Sequence, residues 1–165
     1  MFALSAILQG EHRRTAEQLV EKGNFDDAIR EYHKELETWY LRMSFNYHEA
    51  PSLYGIAQCR SQLEEFEKAR QTYTAITSKF QGFYKNLAEE ELRDLDQNLA
   101  IAAKLEDALS MEQDDREKVP LLFELALAYR SLNCHRKAIE SYEEIESLEV
   151  PEGFKTQARE FAEDL

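Results

Sequence analysis

Three polar residues, Asp94, Asp96 and Asn98, have the D-x-D-x-N spacing that opens a calcium-binding loop. Such a loop also needs Gly at its sixth position and a bidentate Glu at its twelfth. Leu99 and Leu105 occupy those two positions. The sequence therefore predicts no calcium site at this stretch.

The other residue types that perform chemistry are also scattered. None of the four histidines, His12, His33, His48 and His135, has a second His or Cys three or four residues away to complete a zinc-ligand pair on a helix. Cys59 and Cys134 imply neither a metal site nor a disulfide framework. The sequence contains no P-loop, no dinucleotide-binding glycine motif and no nucleophile elbow. We therefore predict no cofactor and no enzymatic activity. Reduced structural thiols would fit a cytoplasmic location.

Charge and composition narrow the classes of partner. The chain has 165 residues, with 33 Asp plus Glu against 20 Lys plus Arg, a formal net charge of −13. A negative field of this size repels nucleic acid and anionic lipid surfaces. No apolar run reaches the length of about 18 residues that a membrane span needs. The short apolar start at residues 1–12 lacks a basic region and a cleavage site, so it predicts no signal peptide. With five Gly and three Pro among many Glu, Leu, Ala and Lys, the composition favours an all-α protein.

Two amphipathic helices joined by a tight turn are predicted over residues 51–80. Leu53, Ile56 and Ala57 share one side of the first helix, and Ala69 and Tyr73 share one side of the second. Small Ala57 and Ala69 would let the two backbones approach closely. Pro51 suits the first turn of a helix, where a missing N–H costs nothing.

The same order of small, large, turn and aromatic residues recurs along the chain. The phrases FDDAIREY, FEKARQTY and HRKAIESY align with one another. The other copies contain Ala16, Leu19, Gly23, Phe25, Ala28 and Tyr32 at one end, and Leu122, Leu125, Ala126, Tyr129, Asn133, Ala138, Tyr142 and Ile145 at the other. This pattern resembles the tetratricopeptide repeat, a 34-residue helix–turn–helix unit.

The resemblance implies a right-handed all-α solenoid of antiparallel hairpins within one domain, residues 1–165. The predicted hairpins span about 3–47, 51–80, 83–111 and 120–149, and a capping helix at 151–164 covers the last one. The first repeat extends to 41 residues between Ala28 and Ala69. Repeats of similar length occur in the kinesin-light-chain-like subgroup, which would imply a cytoskeletal or cargo-linking role.

The stretch 83–111 permits two interpretations. One is a degenerate hairpin that turns near Asn98, with Ala103 as its contact alanine about 34 residues from Ala69 and Ala138. The other is a single long helix, since the stretch contains neither Pro nor Gly and Glu91 and Asp107 stand where the motif has small and aromatic residues. Because Asn tolerates the left-handed conformation that a turn needs, we favour the hairpin.

The resemblance implies a non-catalytic interaction module, an adaptor or scaffold, whose concave groove binds a segment of another protein. The residues predicted to face this groove are Arg13, Glu17, Tyr54, Gln58, Ser61, Phe123, Leu127 and Arg130. Phe123 and Leu127 are equally compatible with the core. The groove lacks the Lys and Asn with which some family members bind a C-terminal carboxylate. A partner with apolar anchors and basic flanks fits better.

The alternative function is that of a structural subunit. The apolar N-terminus, the extended second helix and the Phe154 and Phe161 stripe could bury themselves in contacts between copies of the chain. We expect a monomer or a weak homo-oligomer. Sedimentation over a range of concentrations distinguishes self-association from a groove that is free to bind.

Overall fold

The computed structural model describes residues 10–40 and 49–165, which form eight α-helices and no strand. The helices are α1 (Glu11–Glu21), α2 (Phe25–Tyr40), α3 (Glu49–Gln62), α4 (Phe66–Lys79), α5 (Phe83–Met111), α6 (Asp115–Ser131), α7 (His135–Ser147) and α8 (Glu152–Glu163). The predicted all-α class of helical hairpins is confirmed. The predicted beginning of the first hairpin and the extension of its second helix fall on residues 1–9 and 41–48, outside the described residues.

Three hairpins share one type of turn. In each turn a single residue adopts a left-handed backbone, with φ of 73° at Gly23, 60° at Glu64 and 57° at Asn133. The amide of the following residue donates to a carbonyl five residues earlier, in the Schellman pattern that ends helices. These bonds are Asn24 N to Leu19 O at 2.9 Å, Glu65 N to Arg60 O at 2.8 Å and Cys134 N to Tyr129 O at 2.8 Å. The chain therefore reverses within a few residues, and consecutive helices pack side by side.

Three pairs of alanines mark where the two helices of each hairpin touch. Each pair is separated by 12 residues, and all six side chains are fully buried; they are Ala16 and Ala28, Ala57 and Ala69, and Ala126 and Ala138. A methyl group is small enough for two helix backbones to approach closely. The left-handed residue lies seven positions after the first alanine of every pair. The predicted contact alanines of these three hairpins are confirmed.

The hairpin favoured for residues 83–111 is wrong, because α5 is one continuous helix of 29 residues. Asn98 makes no turn, and its side-chain amide donates to Asp94 O within the helix at 2.8 Å. Ala103 is exposed, whereas Ala88, Leu95 and Ala102 are buried. These three residues are spaced by seven and form one stripe along the helix, so a single face stays buried without a chain reversal.

The chain divides into two compact units, residues 1–92 and 93–165, and the boundary lies within α5. In the first unit α1 to α4 pack in sequence, and Tyr73, Ile76 and Ala88 join α4 and the start of α5 in one cluster. In the second unit α6, α7 and α8 pack in sequence around Leu122 and Ile145. The organisation of the whole chain as one domain stays a prediction.

Candidate functional site

The eight residues predicted to line a groove are divided between the two units. Arg13 and Glu17 lie on α1, and Tyr54, Gln58 and Ser61 lie on α3, all in the first unit. Phe123, Leu127 and Arg130 lie on α6 in the second unit. The surface that each unit offers is therefore described separately.

In the first unit, Tyr54 is a packing residue with an engaged hydroxyl. Its ring lies against Tyr73 and Tyr84, with centroid distances of 5.7 and 6.2 Å. Its hydroxyl donates to Glu91 Oε1 at 2.5 Å. Burial, followed by this bond to a carboxylate, raises the pKa of the Tyr54 hydroxyl well above its ordinary value. Tyr54 therefore holds the start of α5 against α3, and Glu91, which the repeat pattern treats as a misfit, is the acceptor.

The other predicted residues of the first unit differ in exposure. Gln58 and Glu17 are exposed, and Arg13 is half-buried with Nε 3.6 Å from Glu17 Oε1. Ser61 is buried, and its Oγ donates to Ala57 O at 3.3 Å. The placement of Ser61 on an open surface is thus corrected, because Ser61 lies one turn after Ala57, which is buried in one cluster with Ala69 and Tyr73 of α4.

In the second unit, Phe123 is one of three aromatic rings that pack on one another. Its centroid lies 5.8 Å from Tyr142 on α7 and 6.0 Å from Phe161 on α8, and the latter two rings are 5.9 Å apart. Such tilted and edge-on pairs stabilise packing by about 0.5–1.5 kcal/mol each. Phe123 is half-buried, so it joins three helices and presents only part of its ring to solvent.

Leu127 and Arg130 continue the face of α6 that Phe123 begins. Leu127 is 53% exposed, and Arg130 is also exposed. On α8, Phe154 and Phe161 remain 43% and 37% exposed, while Ala158 between them is fully buried. Phe123, one turn before Leu127 on α6, packs on Phe161 of α8, and Phe154 lies two turns before Phe161 on that helix; we call these four residues the apolar surface. Phe161 is partly covered by its contacts with Phe123 and Tyr142.

Polar contacts hold α8, which carries Phe154 and Phe161, against α7. Arg159 Nε lies 2.8 Å from Glu146 Oε1 on α7, and Lys155 Nζ donates to Glu146 O at 2.8 Å. Asp115 Oδ2 accepts the Glu149 amide at 2.8 Å, which ties the segment after α7 to the beginning of α6. That backbone donor lowers the pKa of the Asp115 carboxyl. These contacts are exposed and individually weak, but together they orient the helix that carries Phe161.

The described residues offer no arrangement for metal chemistry. Across residues 10–40 and 49–165, no three His, Cys, Asp or Glu side chains lie together as ligands for a metal ion. Cys59 and Cys134 are buried, and burial raises the pKa of the Cys59 thiol to about 11. None of the helices in these ranges has both the length and the apolar composition needed to cross a lipid bilayer. The described residues do offer exposed apolar side chains, at Leu127, Phe154 and Phe161.

Comparison with known proteins agrees with the geometry of the last hairpin. The family model described as tetratricopeptide repeat matches residues 119–149, which include most of α6, the turn at Asn133 and all of α7. No curated protein and no solved structure matches the chain. The match at α6 and α7 supports the tetratricopeptide repeat family, whose members generally mediate protein–protein interaction.

Proposed function

We propose that the protein is a non-catalytic interaction module that binds a segment of another protein at the apolar surface. The single observation that carries this proposal is the exposure of Leu127 on α6 and of Phe154 and Phe161 on α8, two helices that meet where Phe123 packs on Phe161. Leu127 is more than half exposed even though the neighbouring aromatic residue Phe123 is packed. Apolar side chains clustered on an otherwise charged surface are typical of sites that another protein covers.

The surroundings of the apolar surface favour a partner with apolar anchors and basic flanks. Exposed carboxylates accompany it on both helices, Glu124 on α6 and Glu160 and Glu163 on α8. The formal charge of −13 adds a long-range field of the same sign. Such a field accelerates the approach of a basic segment, while the desolvated apolar contacts set how long the segment stays bound.

A role as an adaptor in the cytoplasm, with a cytoskeletal or cargo protein as partner, is the finer proposal. It is supported by the 41-residue separation of Ala28 and Ala69, a length similar to repeats of the kinesin-light-chain-like subgroup. Both alanines are fully buried, so they do occupy equivalent contact positions. Cys59 and Cys134 are buried and form no disulfide, which fits a reducing compartment.

Replacing Leu127 with Ser is expected to weaken partner binding about tenfold, mainly through faster dissociation, because an apolar anchor at an interface contributes roughly 1–2 kcal/mol. The partner is first identified by affinity capture from the source cell and mass spectrometry. Binding of the purified pair is then followed by stopped flow. Ile101→Ser is the matched control, since Ile101 is an exposed aliphatic residue on α5.

Circular dichroism and thermal melting establish that both variants fold before binding is measured. Ile101→Ser should bind within about twofold of the original protein, a change smaller than about 0.5 kcal/mol. Equal affinity for the original protein and Leu127→Ser would place the interface away from the apolar surface.

A second candidate function is self-association through α8, which the exposure of Phe154 and Phe161 specifically favours. If α8 pairs with another copy, sedimentation velocity should show the average mass rising above 19.3 kDa with concentration. Phe154→Ser should then restore the monomer, because Phe154 is exposed and its loss leaves the packing of Phe123 with Phe161 in place. A constant monomer mass at micromolar concentrations would reject this candidate and leave the apolar surface free for a different protein.

A further inference from the structure

A cleft of about 500 Å³ lies within the second unit, between the end of α5 and α7, with α6 at its base. Its volume falls within the range of about 300–1,000 Å³ typical of small-ligand and side-chain pockets. Leu109, Leu125 and the ring of Tyr129 provide its apolar parts, and the remaining residues around it are Glu106, Ser110, Lys137, Glu140, Ser141 and Glu144. The cleft thus combines an apolar base with a polar rim.

One aromatic ring and its partners organise the cleft. Tyr129 is buried, and its hydroxyl donates to the Glu106 carboxylate on α5. The Lys137 ammonium lies 4.8 Å from the centre of the Tyr129 ring and 3.5 Å from the Tyr129 hydroxyl. The ring of Tyr129 therefore already faces one cation at the edge of the cleft, at a distance typical of cation–π contacts.

The charges around the cleft discriminate between classes of guest. Three carboxylates, Glu106, Glu140 and Glu144, line the cleft with the single ammonium of Lys137, and Arg136, outside the lining, has Nη1 3.6 Å from Glu140 Oε1. The carboxylates would repel anionic groups such as phosphates. A purely apolar ligand would desolvate the carboxylates without replacing their hydrogen bonds to water. A cation on a long apolar stem satisfies both the rim and the base.

We propose that this cleft binds an arginine side chain of the partner protein. The methylene stem of the arginine would lie over Leu109 and Leu125, and its planar guanidinium would meet the rim carboxylates beside Tyr129. Arginine fits better than lysine because its guanidinium is planar, stacks on aromatic rings and binds carboxylates through two parallel hydrogen bonds. The inference rests on the proposed function, since the arginine belongs to the protein that the module binds.

The cleft and the apolar surface lie on different sides of α6. Leu125 and Tyr129 each stand two residues from Leu127, which places them about 160–200° around the helix from it at about 100° per residue. Leu127 is exposed on one side, and Leu125 and Tyr129 are buried at the base of the cleft on the other. The two contacts can therefore be disrupted independently.

The probe is an acetylated and amidated Gly-Ser-Arg-Ser-Gly peptide, titrated into ¹⁵N-labelled full-length protein and followed by NMR. We expect amide shifts concentrated at Ser110, Tyr129 and Ser141. The same peptide with citrulline, which keeps the shape of arginine without its charge, should leave these amides unmoved. The Glu140→Gln and Glu144→Gln double variant should bind the arginine peptide about fivefold to tenfold more weakly, as expected for two partly exposed ion pairs.

Glu143→Gln is the matched control, because Glu143 is an exposed carboxylate on α7 that lies outside the cleft. It should change the affinity by less than about twofold. Amide shifts spread over the whole surface, or an equal loss of affinity in Glu143→Gln, would mean that the peptide responds only to net charge. Either result would reject arginine binding in the cleft. Equal shifts with the citrulline peptide would also overturn it. Loss of partner binding by Leu127→Ser together with no response to the arginine peptide would retain the module and reject the arginine site.

Discussion

Replacing Ala69 with Glu is expected to lower the free energy of unfolding by about 3–5 kcal/mol, the cost of an unpaired charge in a packed interior. Ala69 is fully buried on α4, in one cluster with Ala57, Tyr73 and Ile76. A carboxylate there has neither water nor space, because the two helices of the hairpin meet at this position. Urea denaturation followed by circular dichroism measures the loss.

Ala75→Glu is the control for this experiment. Ala75 is exposed on the same helix, so the variant has the same change of charge and composition at a position that water can reach. Its free energy of unfolding should stay within about 0.5 kcal/mol of the original value. If Ala69→Glu and Ala75→Glu unfold at the same urea concentration, the alanine contact between α3 and α4 is wrong.

Replacing Gly55 with Ala is expected to destabilise the first unit by about 1–3 kcal/mol, the usual range for overpacking a core. A Cβ built on Gly55 would lie 2.4 Å from Tyr32 Cζ and 2.7 Å from the Tyr32 hydroxyl oxygen. Tyr32 is only 5% exposed, so its ring has little room to move away. In an open helix the same substitution is stabilising by roughly 0.5–1 kcal/mol, so the packing of α2 on α3 should reverse the sign.

Gly153→Ala tests whether the same substitution is stabilising where no neighbour opposes the added methyl group. Gly153 lies in α8, and a Cβ placed there meets no heavy atom within 4 Å. The variant should melt at or slightly above the temperature of the original protein. Combining Gly55→Ala with Tyr32→Leu should cost less than the sum of the two single changes, since the shorter side chain removes the clash. Strict additivity would show that Tyr32 is not what opposes the added methyl group.

The three regular hairpins were predictable from single residues. At a contact between two helix backbones only a small side chain fits, so the repeating pattern of residue types is enough to identify Ala28, Ala69 and Ala138 as contact residues. Gly23 and Asn133 tolerate the left-handed turn for intrinsic conformational reasons. Glu64 adopts the same conformation without any such preference, and only its offset of seven from Ala57 could have indicated it.

The long helix α5 shows where a repeat pattern misleads. The stretch 83–111 has the length of one more hairpin and an Asn at the turn position. However, it contains neither Pro nor Gly, so the helix continues through it. The side chain of Asn98 finds its acceptor one turn back, at Asp94 O. The spacing of seven between Ala88, Leu95 and Ala102 was a signal for one helix with a single buried face.

The sequence by itself determined which residues prefer helices, where three tight turns fall and which alanines must be buried. These properties depend on local backbone preferences and on side-chain size. The exposure of Tyr54, Ser61, Phe123 and Phe161 was decided only by tertiary packing. Each lies on an apolar or small-residue face that could contact either solvent or a neighbouring helix, and periodicity cannot say which neighbour arrives. The candidate site changed accordingly. In α8 Ala158 is fully buried, whereas Phe161 stays partly exposed and packs on Phe123 of α6, the helix that also carries Leu127.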